Sequence, residues 1–164
     1  MSGGRIGAMS VLVCGMVVMG GQMIRAEDPA PTAGQHVVVI PSDLRWHDGP
    51  PSLPPGAQCA VIEGDPTQAG LFTMRVKMPA NYRIPAHWHP ADEHVTVIAG
   101  TFNMGAGDAL DTSQGQALPA GSFALMPATM HHFAWTTAET VIQLHGVGPW
   151  QINYLNPADD PRQQ

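Results

Sequence analysis

Turn-forming residues divide this chain into short segments, and their spacing constrains the fold more than any other feature. The 164 residues include 18 glycines and 16 prolines, while only 12% are charged. Turn signals recur at Gly64-Asp65-Pro66, Pro79-Ala80-Asn81, Gly105-Ala106-Gly107-Asp108, Pro119-Ala120-Gly121 and Gly148-Pro149. Short segments punctuated by glycine and proline favour strands over helices. The sequence therefore predicts an all-β domain, either a sandwich or a barrel.

The residues between these turns have the composition of strands. Strands are predicted over 58–63, 71–78, 83–88, 93–98, 101–104, 122–126, 131–136, 139–146 and 150–155. In 71–78 the apolar side chains alternate with Thr73, Arg75 and Lys77, which predicts one buried and one wet face. Folded structure is expected to begin near His36, with the β-branched run Val37–Ile40 as a strand. No helix is predicted, and 105–118 is expected to be a loop.

The N-terminus resembles a targeting segment. Arg5 precedes the uncharged, mostly apolar stretch Ile6–Ile24, and Ala26 follows as a small residue at a plausible cleavage site. These features predict a signal peptide over 1–26, a flexible leader over 27–35 and a single domain over 36–164. A periplasmic or secreted protein with no membrane contact after cleavage is expected. The alternative is that the segment stays attached as an anchor.

Charge and cysteine content narrow the function further. The formal net charge is −6, and no basic run is present, so a nucleic-acid partner is excluded. Cleavage after Ala26 would remove Cys14 and leave Cys59, which has no partner for an internal disulfide. Cys59 lies in an apolar run and is predicted to be a buried strand residue rather than a nucleophile.

Four residues have the types and spacing of a metal site. His87 and His89 are two residues apart, so on a strand their imidazoles share a face. Glu93 can join them across a short turn, and His132 is available about forty residues later. Three imidazoles and one carboxylate form a mixed N/O set that suits a divalent transition metal. Fe, Mn, Ni, Cu, Co and Zn all accept it.

The spacing of these residues resembles the cupin superfamily. Its first motif is a glycine, five residues, H-x-H, three or four residues, E, six residues and a glycine. The chain fits this motif over about 81–100: His87, His89 and Glu93 match, Gly100 follows, and Asn81 replaces the leading glycine. Asparagine also accepts turn conformations with positive φ.

The second cupin motif is a glycine, five residues, P-x-G, two residues, H, three residues and N. The chain fits over about 121–136 with Gly121, Pro127 and His132. Thr129 and Thr136 replace the expected glycine and asparagine. The resemblance extends over roughly 57–156, and the ending also resembles small single-domain bacterial cupins. It implies a double-stranded β-helix, a jelly-roll barrel of two antiparallel sheets, with the four ligands projecting into its open end.

Two further residues have candidate roles near such a site. His145 is a tentative acid/base or second-layer residue, and an equally good alternative is a strand histidine facing solvent. Arg83 shares strand parity with His87 and could meet an anionic substrate at the rim, or it could simply be solvated. His94 and His131 are expected to face away from the metal by parity.

Three functions are compatible with this ligand set. A six-coordinate ion would keep open positions, which favours a metal-dependent, dioxygenase-like oxidoreductase acting on a small oxygenated or aromatic compound. The alternative is a non-enzymatic protein that binds or senses a metal or small ligand in the cell envelope. A metal-independent epimerase is the weakest hypothesis, because the ligand set is intact. A homodimer is expected, with Val37–Ile40 able to pair with a neighbour.

Overall fold

The structure is a computed structural model that describes residues 36–164. The predicted signal peptide and leader lie outside the described residues. Within residues 36–164, no helix is long and apolar enough to cross a membrane. The only helices in this region are four three-residue 3-10 turns: Pro41–Asp43, Thr112–Gln114, Pro157–Asp159 and Pro161–Gln163.

Eleven strands form the domain. They are β1 (His47–Asp48), β2 (Gln58–Glu63), β3 (Gly70–Met78), β4 (Arg83–Trp88), β5 (Glu93–Ala99), β6 (Thr101–Ala106), β7 (Gln116–Pro119), β8 (Phe123–Met126), β9 (His132–Thr136), β10 (Thr140–Gly148) and β11 (Asn153–Tyr154). They pair antiparallel in two sheets, a six-stranded one in the order β1-β2-β3-β10-β5-β8 and a five-stranded one in the order β11-β4-β9-β6-β7. The predicted all-β jelly roll is confirmed.

The core lies between the inner faces of the two sheets. In β3 the side chains of Phe72, Met74, Val76 and Met78 are buried, and each is at most 2% exposed. Their polar neighbours face outward, so the predicted alternation is confirmed. Each such side chain contributes about 1.5–3 kcal/mol of burial free energy.

Two predictions about elements are wrong. The run Val37–Ile40 forms no strand; it enters the 3-10 turn at Pro41 with Val38 70% and Ile40 54% exposed. Apolar β-branched composition does not make a strand without a neighbouring strand to pair with. Conversely, the predicted loop 105–118 contains most of β7, because Gln116–Pro119 pairs with β6 although it has little apolar pattern.

Cys59 lies in β2, half-buried and packed against the core. Burial raises the pKa of its thiol to about 11, so little thiolate forms at neutral pH. The strand position and the raised pKa agree with its prediction as a strand residue rather than a nucleophile, but the side chain is half-buried and not fully buried as predicted.

A register shift in β4 decides which of its side chains face the interior. Ile84 and Ala86 point inward, and the pairing with β9 then shifts between Ile84 and His87. His87 is consequently buried although it follows a buried residue directly. Arg83 is exposed whereas His87 is buried, which agrees with the alternative that Arg83 is solvated and not with a face shared with His87. The simple alternation of faces along β4 fails here, because one extra residue reverses the direction in which every following side chain points.

Candidate metal centre

Three strands bring the four predicted ligands to one end of the domain. His87 lies in β4 directly opposite His132, the first residue of β9. His89 follows β4, and Glu93 begins β5. All four are buried, with exposures between 3% and 7%.

The donor atoms of these residues converge. The ligating nitrogens of His87, His89 and His132 all lie within 4.8 Å of one another. Glu93 Oε2 is 3.4 Å from His89 Nε2 and 4.0 Å from His132 Nε2. Donors that share a transition metal at about 2.0–2.2 Å lie about 3 Å or more apart. The cluster is therefore compact enough to surround one ion.

Backbone carbonyls orient all three imidazoles. The Nδ1 atoms lie within hydrogen-bond distance of the carbonyls of Pro85 (2.7 Å, from His87), Gln151 (2.6 Å, from His89) and Met130 (3.0 Å, from His132). A carbonyl only accepts, so each Nδ1 is assigned as the donor. Each Nε2 then keeps its lone pair, which is the arrangement that holds a histidine ready to bind a metal.

One of these nitrogens has no partner among the described residues. His89 Nε2 is fully buried and makes no hydrogen bond, although Glu93 Oε2 is 3.4 Å away. A buried, unsatisfied polar atom costs about 1–3 kcal/mol. A bound cation would remove that cost, so the donor set fits a divalent transition metal.

Trp150 holds the carboxylate of Glu93. Its Nε1 donates to Glu93 Oε1 at 2.8 Å, and its ring stacks on His89 with 5.7 Å between centroids and 19° between planes. Oε2 is left facing the histidines. No role was predicted for Trp150 from the sequence. Its sequence signal is an aromatic residue with an N–H donor directly after the Gly148-Pro149 turn, one strand beyond the second motif.

Electrostatics favour the ligand-ready protonation state of Glu93, His87 and His132, but not that of His89. Burial raises the pKa of Glu93, but His89 and then His132 outweigh it and lower that pKa to about 2. Burial lowers the pKa of His87 to about 3, with further lowering by His132 and His89. Burial also lowers the pKa of His132. For His89, the Glu93 carboxylate outweighs burial and raises the pKa. Glu93 is thus an ionised carboxylate, and it favours the protonated form of the neighbouring His89.

The family follows from sequence comparison. The sequence profile of the ChrR cupin-like domain matches residues 34–151, most of the chain. The chain belongs to the ChrR cupin-like domain family. The predicted membership of the cupin superfamily is thereby confirmed. No curated protein sequence matches the chain.

Solved structures share the fold of this ChrR-like cupin. The polyketide cyclase RemF from Streptomyces resistomycificus is 12% identical with a TM-score of 0.62, covering 79% of this chain and 92% of that one. An RmlC-like cupin from Ralstonia eutropha JMP134 is 17% identical with a TM-score of 0.57, covering 75% and 74%. Another from Shewanella frigidimarina is 13% identical with a TM-score of 0.54, covering 69% and 90%. At these identities the likeness concerns the fold alone.

The three departures from the cupin motifs keep the local geometry of this ChrR-like cupin. Asn81 and Thr129 both adopt left-handed backbone conformations, with φ of 62° and 66°. Thr136 is buried, donates from Oγ1 to the Pro79 carbonyl at 2.6 Å and accepts from the Tyr82 amide at 3.2 Å. The turn before β4 is thereby tied to β9, which carries His132.

The cupin cavity opens beside the four residues and is otherwise apolar. The space between its lining atoms is about 400 Å³ when the opening to solvent is counted, and only a small part of it is wide enough for a water molecule. Apart from the four candidate ligands, its lining residues are Leu53, Val76, Met78, Ile84, Phe102, Met126, Ala134, Ile142, Leu144, Trp150 and Ile152. Within residues 36–164, no titratable side chain other than the four candidate ligands lines this cavity.

The remaining histidines of motif strands lie elsewhere. His145 is exposed on the outer face of the six-stranded sheet, with Nδ1 3.1 Å from Thr73 Oγ1. It lines a small separate recess that His89 and Glu93 also line, and it does not line the main cavity. His94 faces His145 across the strands, and His131 is exposed and binds Asp108. Both point away from the four residues, as parity predicted. The tentative catalytic role of His145 stays a prediction.

Proposed function

We propose that this protein is a metal-dependent oxidoreductase, dioxygenase-like in its chemistry, acting on a small oxygenated or aromatic compound. His87, His89, Glu93 and His132 would hold the metal, a divalent ion among Fe, Mn, Ni, Cu, Co and Zn. The ligand-ready geometry of three histidines and one carboxylate supports this proposal.

One observation carries the choice of chemistry. The four candidate ligands are the only titratable side chains that line the cavity in the described region. A metal-independent epimerase needs its own acid and base there, so that hypothesis loses support. A bound redox-active metal supplies electron transfer and Lewis acidity without a separate proton donor.

The protein's own residues would then orient the metal ligands and exclude bulk water. The carbonyls that accept from each Nδ1 fix the imidazole planes, and Trp150 fixes the carboxylate. The apolar wall keeps bulk water from the reacting atoms, which strengthens electrostatic interactions at the centre.

The first test is the metal content of the purified protein beside His87→Ala and His132→Ala variants. We expect near-stoichiometric metal in the wild type and loss of it in both variants. His131→Ala is the matched control, since that side chain neighbours His132 in sequence but faces outward and should leave the metal unchanged. Oxygen uptake with catechols, diketones, flavonols and oxalate would follow.

The outcomes separate the proposals. Absence of metal in the purified protein and after reconstitution would contradict the metal centre. Bound metal with no oxygen uptake on any of these compounds would contradict the oxidoreductase.

A second function is favoured by the same lack of further titratable side chains in the cavity. A site without proton-transfer groups beyond its ligands is also suited to binding or sensing a metal or small ligand without turnover. Zinc as the bound metal, or tight ligand binding with no consumption, would support this alternative.

The proposal includes export to the periplasm or medium, supported by the charge-then-apolar pattern of residues 1–26. N-terminal sequencing of the mature protein from cell fractions tests it. A mature chain that begins near Glu27 and is recovered outside the cytoplasm is expected.

A further inference from the structure

The apolar side chains that line the cavity, here called its wall, indicate which ligands the cavity can accept. Its apolar side chains come from both sheets: Val76, Met78, Ile142 and Leu144 from β3 and β10, Ile84 and Ala134 from β4 and β9, Phe102 from β6 and Met126 from β8. All of them are at most 7% exposed. The wall is thus built into the core and does not consist of mobile surface side chains.

Polar atoms near the cavity are already engaged. The indole N–H of Trp150 donates to Glu93, and the carbonyls of Pro85, Met130 and Gln151 accept from the histidines. A charged or hydroxylated ligand body would therefore lose its hydration without gaining side-chain partners. That loss costs several kcal/mol for a buried polar group and more for a charge.

We propose that the ligand of this centre has an uncharged, apolar body and a single oxygen-bearing head that faces the four metal ligands. The inference rests on the proposed metal centre and names its substrate class. Sugars, sugar acids and dicarboxylic acids with a charged group beyond the chelating head are excluded as preferred ligands, whereas a short alkyl or aryl compound with one chelating group fits. Met78 and Met126 have flexible, polarisable side chains, so the wall can adjust to the shape of that body.

A series of hydroxamates with one head and different tails tests this inference. The probes are acetohydroxamate, pentanohydroxamate and succinic acid monohydroxamate, whose carboxylate tail is close in length to the butyl tail of pentanohydroxamate. Each is titrated into the Co²⁺-reconstituted protein while the visible absorption of cobalt reports binding. Turnover is not needed for this readout.

The expected order follows from the wall. Pentanohydroxamate should bind at least about tenfold more tightly than acetohydroxamate, because three more methylenes leave water. Succinic acid monohydroxamate should bind no better than acetohydroxamate, because its carboxylate finds no partner. Equal affinity across the tails, or preference for the carboxylate tail, would overturn the inference.

A wall variant and its matched control place the effect in the cavity. Leu144→Gln introduces an amide of similar size, and Leu144→Met preserves an apolar side chain of similar volume. We expect the glutamine variant to lose most of the preference for the butyl tail and the methionine variant to keep it. If the glutamine variant does not fold, the wild-type series still decides.

Failure of the metal centre and failure of the ligand class give different results. A protein that takes up no Co²⁺ would contradict the proposed function. A protein that takes up Co²⁺ and binds acetohydroxamate without discriminating tails would contradict only the ligand class.

Discussion

At the scale of single residues, Thr129 takes the place of the glycine in the second cupin motif and adopts a backbone conformation that strains it. Its φ of 66° lies in the left-handed region, which a β-branched side chain rarely adopts. Its amide nonetheless donates to the His89 carbonyl at 2.8 Å, which joins the loop before His132 to the segment that carries His89. The strained residue is therefore part of the support of the metal centre.

Thr129→Gly should stabilise the protein. Glycine removes a strain of the order of 1–3 kcal/mol, but it also loses more backbone entropy on folding, which offsets part of that gain. We therefore expect the free energy of unfolding to rise by about 1 kcal/mol. Thermal unfolding monitored by circular dichroism measures it as a higher Tm. Asn81→Gly is the control, because asparagine tolerates the same conformation and should change Tm less. A lower Tm for Thr129→Gly would show that the threonine side chain contributes more than its strain costs.

At the scale of elements, sequence pattern predicted much of the fold and most of the candidate site, and it failed where long-range pairing decides. The alternation in β3 and the spacing of His87, His89 and Glu93 are local, so they can be recognised without the fold. The register shift in β4 comes from its pairing with β9 and has no local sequence signal. For that reason strand parity alone put Arg83 on the same face as His87. The contacts of Trp150 with Glu93 and His89 likewise join residues far apart in sequence.

The segment between β10 and β11 should therefore affect metal affinity although it carries no ligand. Trp150→Phe keeps an aromatic ring against His89 and removes only the N–H that holds Glu93 Oε1. Loss of such a supporting hydrogen bond typically weakens metal binding about 10–100-fold. Competition with a chromophoric chelator measures the Kd for Co²⁺, with circular dichroism confirming the fold.

Trp46→Phe is the control for that experiment, because Trp46 lies against Lys77, whose side chain faces outward from the six-stranded sheet. Its Kd should match the wild type. A Trp150→Phe protein with unchanged Kd would show that the carboxylate holds its position without the indole.

At the scale of the whole molecule, the outer face of the six-stranded sheet is unusually apolar. Five of the eight large apolar side chains that are exposed in residues 36–164 lie on it: Leu71, Ile98, Phe123, Leu125 and Val147. Their exposures run from 40% to 60%. His94 and His145 lie between the two ends of this group, and the His94 ring is 5.9 Å from that of Phe123. Exposed apolar side chains grouped on one sheet are typical of a contact surface, although polar residues such as Arg75, Gln143 and Thr96 share this face.

The expected homodimer would use this face rather than Val37–Ile40. Two copies can stack these sheets about a two-fold axis, since an isologous contact needs only one self-complementary surface. Light scattering after size exclusion should give twice the mass of the mature chain for the wild type and the monomer mass for Phe123→Lys combined with Leu125→Lys. Val38→Lys should stay dimeric, because Val38 lies outside the sheet. A dimer that only Val38→Lys breaks would move the contact to the N-terminal segment, and a monomeric wild type would contradict the dimer itself.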